Sequence, residues 1–585
     1  MSGLQFPDYL VILAYFLVIL GVGYYLARVV RRAKDYFAAG NIMPWWLAGI
    51  SFYMASFSTM MFVIYSEISY NYGIVAMMVC WLGPPAFLLG SRFTAHRWRR
   101  ARVMTPLGFI EKRFNKTVHY LFVWTGFPLR LFDNALRLYS TAIVMAVAFR
   151  GLGWGVGGVL VITGVVMVLY SFMGGQLSVI ITDFVQAAIL ITSVIVLFVL
   201  TLGQVGNLPQ FLRSLPPGFL NPANHYGWGY LIFTTFLLWL LSYNASWALV
   251  QKYNTVRTEK DARKMTWLIA GLLAASPPVF FFPGLAARLL LPGLANSREV
   301  YAAICLKILP LGMMGLAISA LLSATMSTMG SEYNTLSGIL TRDFYKKKFR
   351  PDLTESQEVR LGRLFTVAIG AVTVLLGLLL SLLKGLTLMD IAFRFMSAFG
   401  PPIMIPLIGG LLSRRINSRG VVSGVAAGAV TGSLLVLTNL VLTQVFAAEM
   451  AASPALDFWL RSAWSSIATV ANVAATVIGL WLGSRRPAPA DERERASRFF
   501  EDLARPFERE EKEEKTWPPA FRIIHLAIIV FGLAVAAVAV LVRFLYHDGR
   551  AFRTGLVVGL AMAAADLVLQ LVLNKAARKK TEEKQ

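Results

Sequence analysis

Cysteine, histidine and long polar stretches are scarce in this chain, and each shortage removes a class of chemistry. Two cysteines, Cys80 and Cys305, among 585 residues leave no CxxC pair, no zinc-ligand spacing and no disulfide framework. The five histidines are scattered, and no HExxH, GxSxG or phosphate-loop signature occurs, so neither hydrolytic nor nucleotide-driven chemistry is indicated. The longest polar segment, 485–517, is too short for a nucleotide-binding domain. It reads as a Pro/Ala linker, then an amphipathic stretch carrying Phe499, Phe500, Leu503 and Phe507, then a solvated charge run. Phe and Leu at that spacing suit a helix lying on a membrane interface or on the end of a helical bundle. The expectation is a protein that is not an enzyme.

Apolar residues fill the space that charge leaves. With 57% hydrophobic and 15% charged residues and a mean hydropathy of +0.63, the chain is an integral membrane protein of all-α class. Apolar runs of about 20 residues recur, about fifteen in all. They fall near 8–30, 44–72, 74–97, 118–149, 153–172, 178–204, 228–250, 264–292, 304–341, 360–384, 387–413, 420–443, 458–484, 519–545 and 551–574. The first run is as long as a true span and is expected to stay as a permanent helix, with no cleaved signal peptide. The net charge of +24 is topology, not nucleic-acid binding: most Lys and Arg sit in alternate loops, including Arg99-Arg100 and Lys346-Lys347-Lys348, as the positive-inside rule requires. That pattern predicts a plasma-membrane protein with its N-terminus outside, its C-terminus in the cytoplasm, and a basic face toward anionic lipid.

Two spans carry polar residues where lipid would favour Leu. Between Pro44 and Gly73 the middle reads Met54-Ala55-Ser56-Phe57-Ser58-Thr59, a place where a membrane helix can break. Between Leu321 and Thr341, Ser323, Ser327, Thr328 and Ser331, with Ala324 among them, put hydroxyls on roughly one helical face. A dehydrated alkali cation needs several oxygens, which unwound carbonyls and hydroxyls supply without the cost of burying a full carboxylate. The competing reading is that small hydroxylated residues only let helices pack closely or bond back to their own backbone. Asp183 is a carboxylate inside a span, which persists where it pairs, meets water or binds a cation; its nearness to the membrane interface is the plainer account. Arg130, Asp133 and Arg137 share one helix on neighbouring turns. They form either an internal ion pair, with Glu67 or Glu332 as further partners, or a seat for an anionic solute.

Several separated motifs carry a resemblance. Met43-Pro44-Trp45-Trp46 leading to Ser58-Thr59, Gly174-Gly175 followed by Thr182-Asp183-Phe184-Val185-Gln186, and Ala324-Thr325-Met326-Ser327-Thr328 ending in Thr341-Arg342-Asp343-Phe344-Tyr345-Lys346 resemble the sodium:solute symporter family, over roughly residues 5–484. The resemblance implies a LeuT-like 5+5 inverted repeat, with units at 44–204 and 228–413 that each open on a broken helix. The second break is expected at Ser242-Tyr243-Asn244-Ala245-Ser246. Around this core lie an extra N-terminal helix and loop (1–43), two accessory helices (414–484), the charged cytoplasmic linker (485–518) and two C-terminal helices with a short tail (519–585).

The resemblance also implies sodium. One site takes the carbonyls of Met54, Phe57 and Ala324 with the hydroxyls of Ser327 and Thr328; a second set, nearer the cytoplasm, is Asp183, Ser327 and Ser331, with Gly330 replacing one family hydroxyl. Candidate solute contacts are Ser56, Met61, Tyr65, Arg130, Arg137, Asn244, Ser246, Trp247 and Phe399. Met61 stands where sugar carriers place a Gln, and Ser246-Trp247-Ala248 replaces Asn-Gln-Tyr before Gln251-Lys252, so a glucose-like pocket is not implied. The family carries sugars, carboxylates, sialic acids and amino acids. The expected function is sodium-coupled uptake of a small polar solute by a chain acting as a monomer, with proton coupling or a non-transporting sensor as the alternatives.

Overall fold

The computed structural model describes residues 4–29, 33–41, 43–382, 388–505 and 518–582. Thirteen helices among these are long and apolar enough to cross a membrane, and two bent pairs bring the number to fifteen. Helix α1 (Phe6–Arg28) precedes the first bent pair, α2 (Trp45–Ala55) and α3 (Thr59–Tyr72). Then come α4 (Val75–Arg100), α5 (Lys116–Ala148), α6 (Val156–Met173) and α7 (Gly175–Val205). The second bent pair, α8 (Gly227–Ala245) and α9 (Trp247–Thr255), leads to α10 (Glu259–Leu290), α11 (Met313–Lys346), α12 (Glu355–Ser381) and α13 (Ile391–Leu412). The last four are α14 (Ser418–Val445), α15 (Trp464–Ser484), α16 (Arg522–Tyr546) and α17 (Gly549–Gln570). Among the described residues the apolar runs read from the sequence are helices or bent pairs, except that the run at 304–341 takes in a short helix, Val300–Ile308, and α11, separated by a break at 309–312.

The two bends, 59° and 44°, fall where short polar residues compete with the helical ladder. Ser56 donates its hydroxyl back to the carbonyl of Phe52 at 2.9 Å, and Ser58 is fully extended, so the carbonyls just before it lose their i+4 donors. At the second bend a single residue, Ser246, is extended (φ −63°, ψ 128°). A third sharp turn separates α6 from α7 at Gly175, whose φ of 59° favours glycine. A side chain there would run into the ring and carbonyl of Tyr36.

Burial ranks the spans. The most apolar stretch of α11 is 100% buried and that of α14 only 22%, which makes α11 the axis of the bundle and α14 a lipid-facing helix. The hydroxyl-rich sequence of α11 is tolerated because protein, not lipid, surrounds it. Helix α1 braces this axis: the Asp8 carboxylate accepts the Gly315 N–H at 2.9 Å near the start of α11, where unpaired amides favour negative charge. Tyr15 of α1 meets Phe531 of α16 edge-on, centroids 6.4 Å apart.

The amphipathic segment forms a helix over Ala490–Ala504 with Phe499, Phe500 and Leu503 buried. It packs on the end of the bundle. Phe499 lies 6.0 Å from Phe109, and Phe500 sits beneath the guanidinium groups of Arg113 and Arg414, each 5.4 Å away. Glu492 accepts the Ser418 N–H at 2.6 Å, so the polar face of the helix is tied down as well. Phe507 and the charge run at 506–517 lie outside the described residues.

Candidate functional site

Three main-chain carbonyls converge on one hydroxyl at the first bend. Thr328 Oγ1 lies 3.0 Å from the carbonyl of Ala324, 3.4 Å from that of Met54 and within hydrogen-bond reach of that of Phe57. The Ala324 contact is the ordinary bond of a helical Thr to its own ladder. The other two cross from the broken span to α11. A hydroxyl has one proton to donate, so three acceptors around it leave a surplus of oxygen lone pairs in a buried place. Ser327, the neighbour of Thr328, is fully buried beside the Asp183 carboxyl, and its hydroxyl has no hydrogen-bond partner among the described residues. The residues expected to hold sodium therefore lie together where the bend meets α11.

A hydroxyl cluster that sequence reading did not single out as a group holds this junction shut. Thr59 Oγ1 donates to the carbonyl of Leu321 at 2.8 Å, and Thr325 Oγ1 accepts the Thr59 N–H at 3.1 Å. Thr141 of α5 reaches the same Thr325 hydroxyl at 2.9 Å. The start of α3, the axis α11 and α5 are thus pinned by three threonines, with Thr325 between the other two.

One turn closer to the basic end, Asp183 on α7 has a fixed partner. Lys252 Nζ of α9 stands 3.6 Å from Asp183 Oδ2, with both side chains fully buried. The same ammonium donates to Ser51 Oγ at 2.8 Å, and Ser51 in turn donates to Asp183 Oδ2. Ser331, expected beside Asp183, is buried, and its hydroxyl has no hydrogen-bond partner among the described residues. Below this group a polar seal closes the basic end. Gln251 donates to the carbonyl of Phe37 at 2.6 Å, Asn334 to that of Tyr36 at 3.1 Å, and Thr105 to Asp343 at 2.6 Å. Lys347, just past α11, is half-buried; burial pulls its pKa down, but the carboxylates of Asp343 and Glu111 outweigh that and hold it above the usual lysine range.

Beside the bend, away from the basic end, lies a cavity of about 120 Å³ lined by Ser56, Met61, Tyr65, Arg130, Arg137 and Ser246 from the expected set. It is also lined by Tyr243, Ser242, Trp239, Thr235, Asp133, Glu332 and Met396. Its charges cancel in pairs. Arg137 binds Asp133 through Nη2 at 2.9 Å and Nε at 3.2 Å, and Arg130 faces Glu332 at 3.5 Å while donating to Ser246 Oγ at 3.1 Å. A larger cavity of about 290 Å³ continues toward the opposite face, sharing Ile64 and Phe393 as walls.

Three expected contacts sit elsewhere. Asn244 points at α4: its amide donates to the carbonyl of Leu240 at 2.9 Å and accepts from Thr94 at 3.1 Å, so its polar atoms are used in the scaffold. Trp247 is fully buried against Gly126 and lies under Arg130, 5.8 Å from the guanidinium. Phe399 lines an adjoining crevice between α5 and α13 that shares Arg130 and Asp133 with the cavity. A single helical turn decides these cases, and depth along a span does not give the angle around it.

Comparison with known proteins gives the family and the fold. The model of the sodium:solute symporter family matches residues 36–428, and the chain belongs to that family. It is similar to a sodium/sialic acid symporter, NanT, of Aliivibrio fischeri, 26% identical over 72% of this chain and 86% of the relative. It is also similar to a sodium/glucose cotransporter of Vibrio parahaemolyticus, 25% identical over 73% of this chain and 84% of the relative. The solved substrate-bound, outward-open structure of a Na+-coupled sialic acid symporter superposes with a TM-score of 0.68 at 21% identity, covering 82% of this chain and 98% of that one. The fold is the LeuT-like inverted repeat, and the protein is a sodium-coupled solute transporter, not an enzyme.

Proposed function

We propose that sodium binds where the carbonyls of Met54, Phe57 and Ala324 meet the hydroxyls of Ser327 and Thr328, and that it there ties the first broken span to α11. The observation that carries this reading is the convergence of three carbonyls on Thr328 across the bend. Asp183, Ser327 and Ser331 form the second set of oxygens, toward the basic end. The two repeats are 44–204 and 228–413, flanked by the segments set out above, in a chain that works as a monomer in the plasma membrane.

With the basic end in the cytoplasm and the N-terminus outside, the seal around Gln251, Asn334 and Asp343 is the closed inner gate. The two linked cavities are then the route from outside. Each sodium entering with a membrane potential of about 100 mV releases about 2.3 kcal/mol, to which its concentration ratio adds. Sodium and solute favour the same closed arrangement, so each tightens the other's binding by an equal factor.

The solute is small and polar, and its class follows from the cavity's balanced charge. Two arginines and two acids leave no surplus positive charge for a simple anion, while offering a carboxylate partner and an ammonium partner side by side. A zwitterionic or neutral polyhydroxy solute fits that lining better than a monocarboxylate. The test is a thermal-shift screen of the purified protein against amino acids, neutral sugars and carboxylates, with and without sodium. Sodium-dependent stabilisation by carboxylates alone would reject the zwitterionic and neutral reading.

A further inference from the structure

The ammonium of Lys252 occupies the place where a second sodium would have to act. It is fully buried, 3.6 Å from Asp183 Oδ2 and 2.8 Å from Ser51 Oγ. The Asp183 carboxyl lies beside Ser327, the residue that the two candidate oxygen sets share. We propose that Lys252 is a tethered cation that fills the charge seat of Asp183, so that this chain binds one sodium per transport cycle and not two. The proposal rests on reading the Thr328 junction as the first sodium site.

The argument is one of charge count. A carboxylate buried in a span needs one compensating positive charge, and Asp183 has it, covalently attached and hydrogen-bonded. Adding sodium would set two cations against one carboxylate and leave a net buried charge with no partner. Lys252 holds Asp183 Oδ2 both directly and through Ser51, while Asp183 Oδ1 and the hydroxyls of Ser327 and Ser331 have no hydrogen-bond partner among the described residues, so it is the charge of the carboxylate, not its lone pairs, that the ammonium takes up. The remaining oxygens near Asp183 belong to neutral serines, which lower the charge of nothing. At the Thr328 junction, by contrast, no cationic side chain among the described residues bonds to the carbonyls, and a mobile ion is the group that can supply the charge.

Removing the tether reverses the balance. Lys252→Met keeps the length of the stem and leaves Asp183 uncompensated, with Ser51, Ser327 and Ser331 around it, so the variant gains a site for sodium. The experiment counts bound sodium by equilibrium binding of radioactive sodium to the purified full-length protein, with choline as the balancing cation. It also reads the Hill coefficient of sodium-induced thermal stabilisation. Wild type and Lys252→Arg are expected to bind one ion per chain with a coefficient near one. Lys252→Met is expected to bind two, with a coefficient well above one, and Lys252→Met with Asp183→Asn returns to one.

Two sodium ions on the wild type, or one on Lys252→Met, would overturn the proposal. If Lys252→Met does not fold, the wild-type count and the charge-free double variant still decide it. Thr328→Ala separates this proposal from the reading beneath it: if that variant keeps its full sodium affinity, the first site is misplaced. The difference between Lys252→Met and wild type reports on the tether either way.

Discussion

The two bent spans use one device for opposite purposes. In the first, three residues of broken helix between α2 and α3 release carbonyls, and the bend contributes negative potential to α11. In the second, one extended residue, Ser246, redirects the chain. The half-helix beyond it delivers a positive group, Lys252, while Ser246 itself braces Arg130 at 3.1 Å. A bend is therefore not a site. What it exposes depends on which side chains and which neighbouring helix meet it.

The largest effect should come from breaking the first bend's contact with α11. Ser327→Ala with Thr328→Ala removes two oxygens, each worth roughly 1.5–3 kcal/mol to a charged partner, so sodium affinity should fall by about 100-fold or more. A sodium titration of thermal stability in which the variant shifted as much as wild type would sink the assignment.

At the second bend, Arg130→Ala leaves Glu332 buried without its partner, and a stability loss of about 3–5 kcal/mol is expected. Arg130→Met with Glu332→Leu should recover much of that loss while uptake stays impaired, which separates folding from solute contact. An unchanged melting temperature in Arg130→Ala would mean that the pair is not formed.

A sharp turn outside the cation site provides the control. Gly175→Ala forces a side chain into a left-handed backbone against Tyr36, and about 1–3 kcal/mol of destabilisation should follow, with sodium affinity per folded molecule intact. Loss of sodium affinity in the folded fraction would show that this turn also sets the cation geometry.

The smallest contrast lies between neighbours at the second bend. Asn244→Ala should cost about 0.5–1.5 kcal/mol by removing its side-chain bonds to Thr94 and the Leu240 carbonyl, Thr94 keeping the Gly90 carbonyl at 3.1 Å, and should leave apparent solute affinity unchanged. Ser242→Ala, which faces the cavity, should do the reverse. Equal losses of solute affinity in both would place Asn244 at the pocket after all.

Much of this was legible in the sequence because membrane physics restricts the choices. Runs such as 8–30 and 360–384 have to be helices, since lipid offers no partner to an exposed peptide group. Both bends were marked by polar patches within apolar runs. Asp183 stood out as a carboxylate in a span, but its partner did not: Lys252 lies 69 residues away in the chain, and sequence reading met it only as the end of the Gln251-Lys252 pair. The Thr59, Thr141 and Thr325 cluster was hidden for the same reason, as three unremarkable hydroxyls on three helices. Asn244 and Ser242 differ by two positions, or about 200° around a helix, and only packing says which one faces the cavity.

The sequence by itself determined that the chain is a bundle of about fifteen spans with two interruptions and an oxygen-rich central helix, because hydropathy, charge placement and hydroxyl spacing are local properties. Only the tertiary structure decided which oxygens face which charges. It set Thr328 among the carbonyls of the first bend and Lys252 against Asp183, because such pairings depend on helix rotation and on contacts between residues far apart in the chain, which no local pattern encodes.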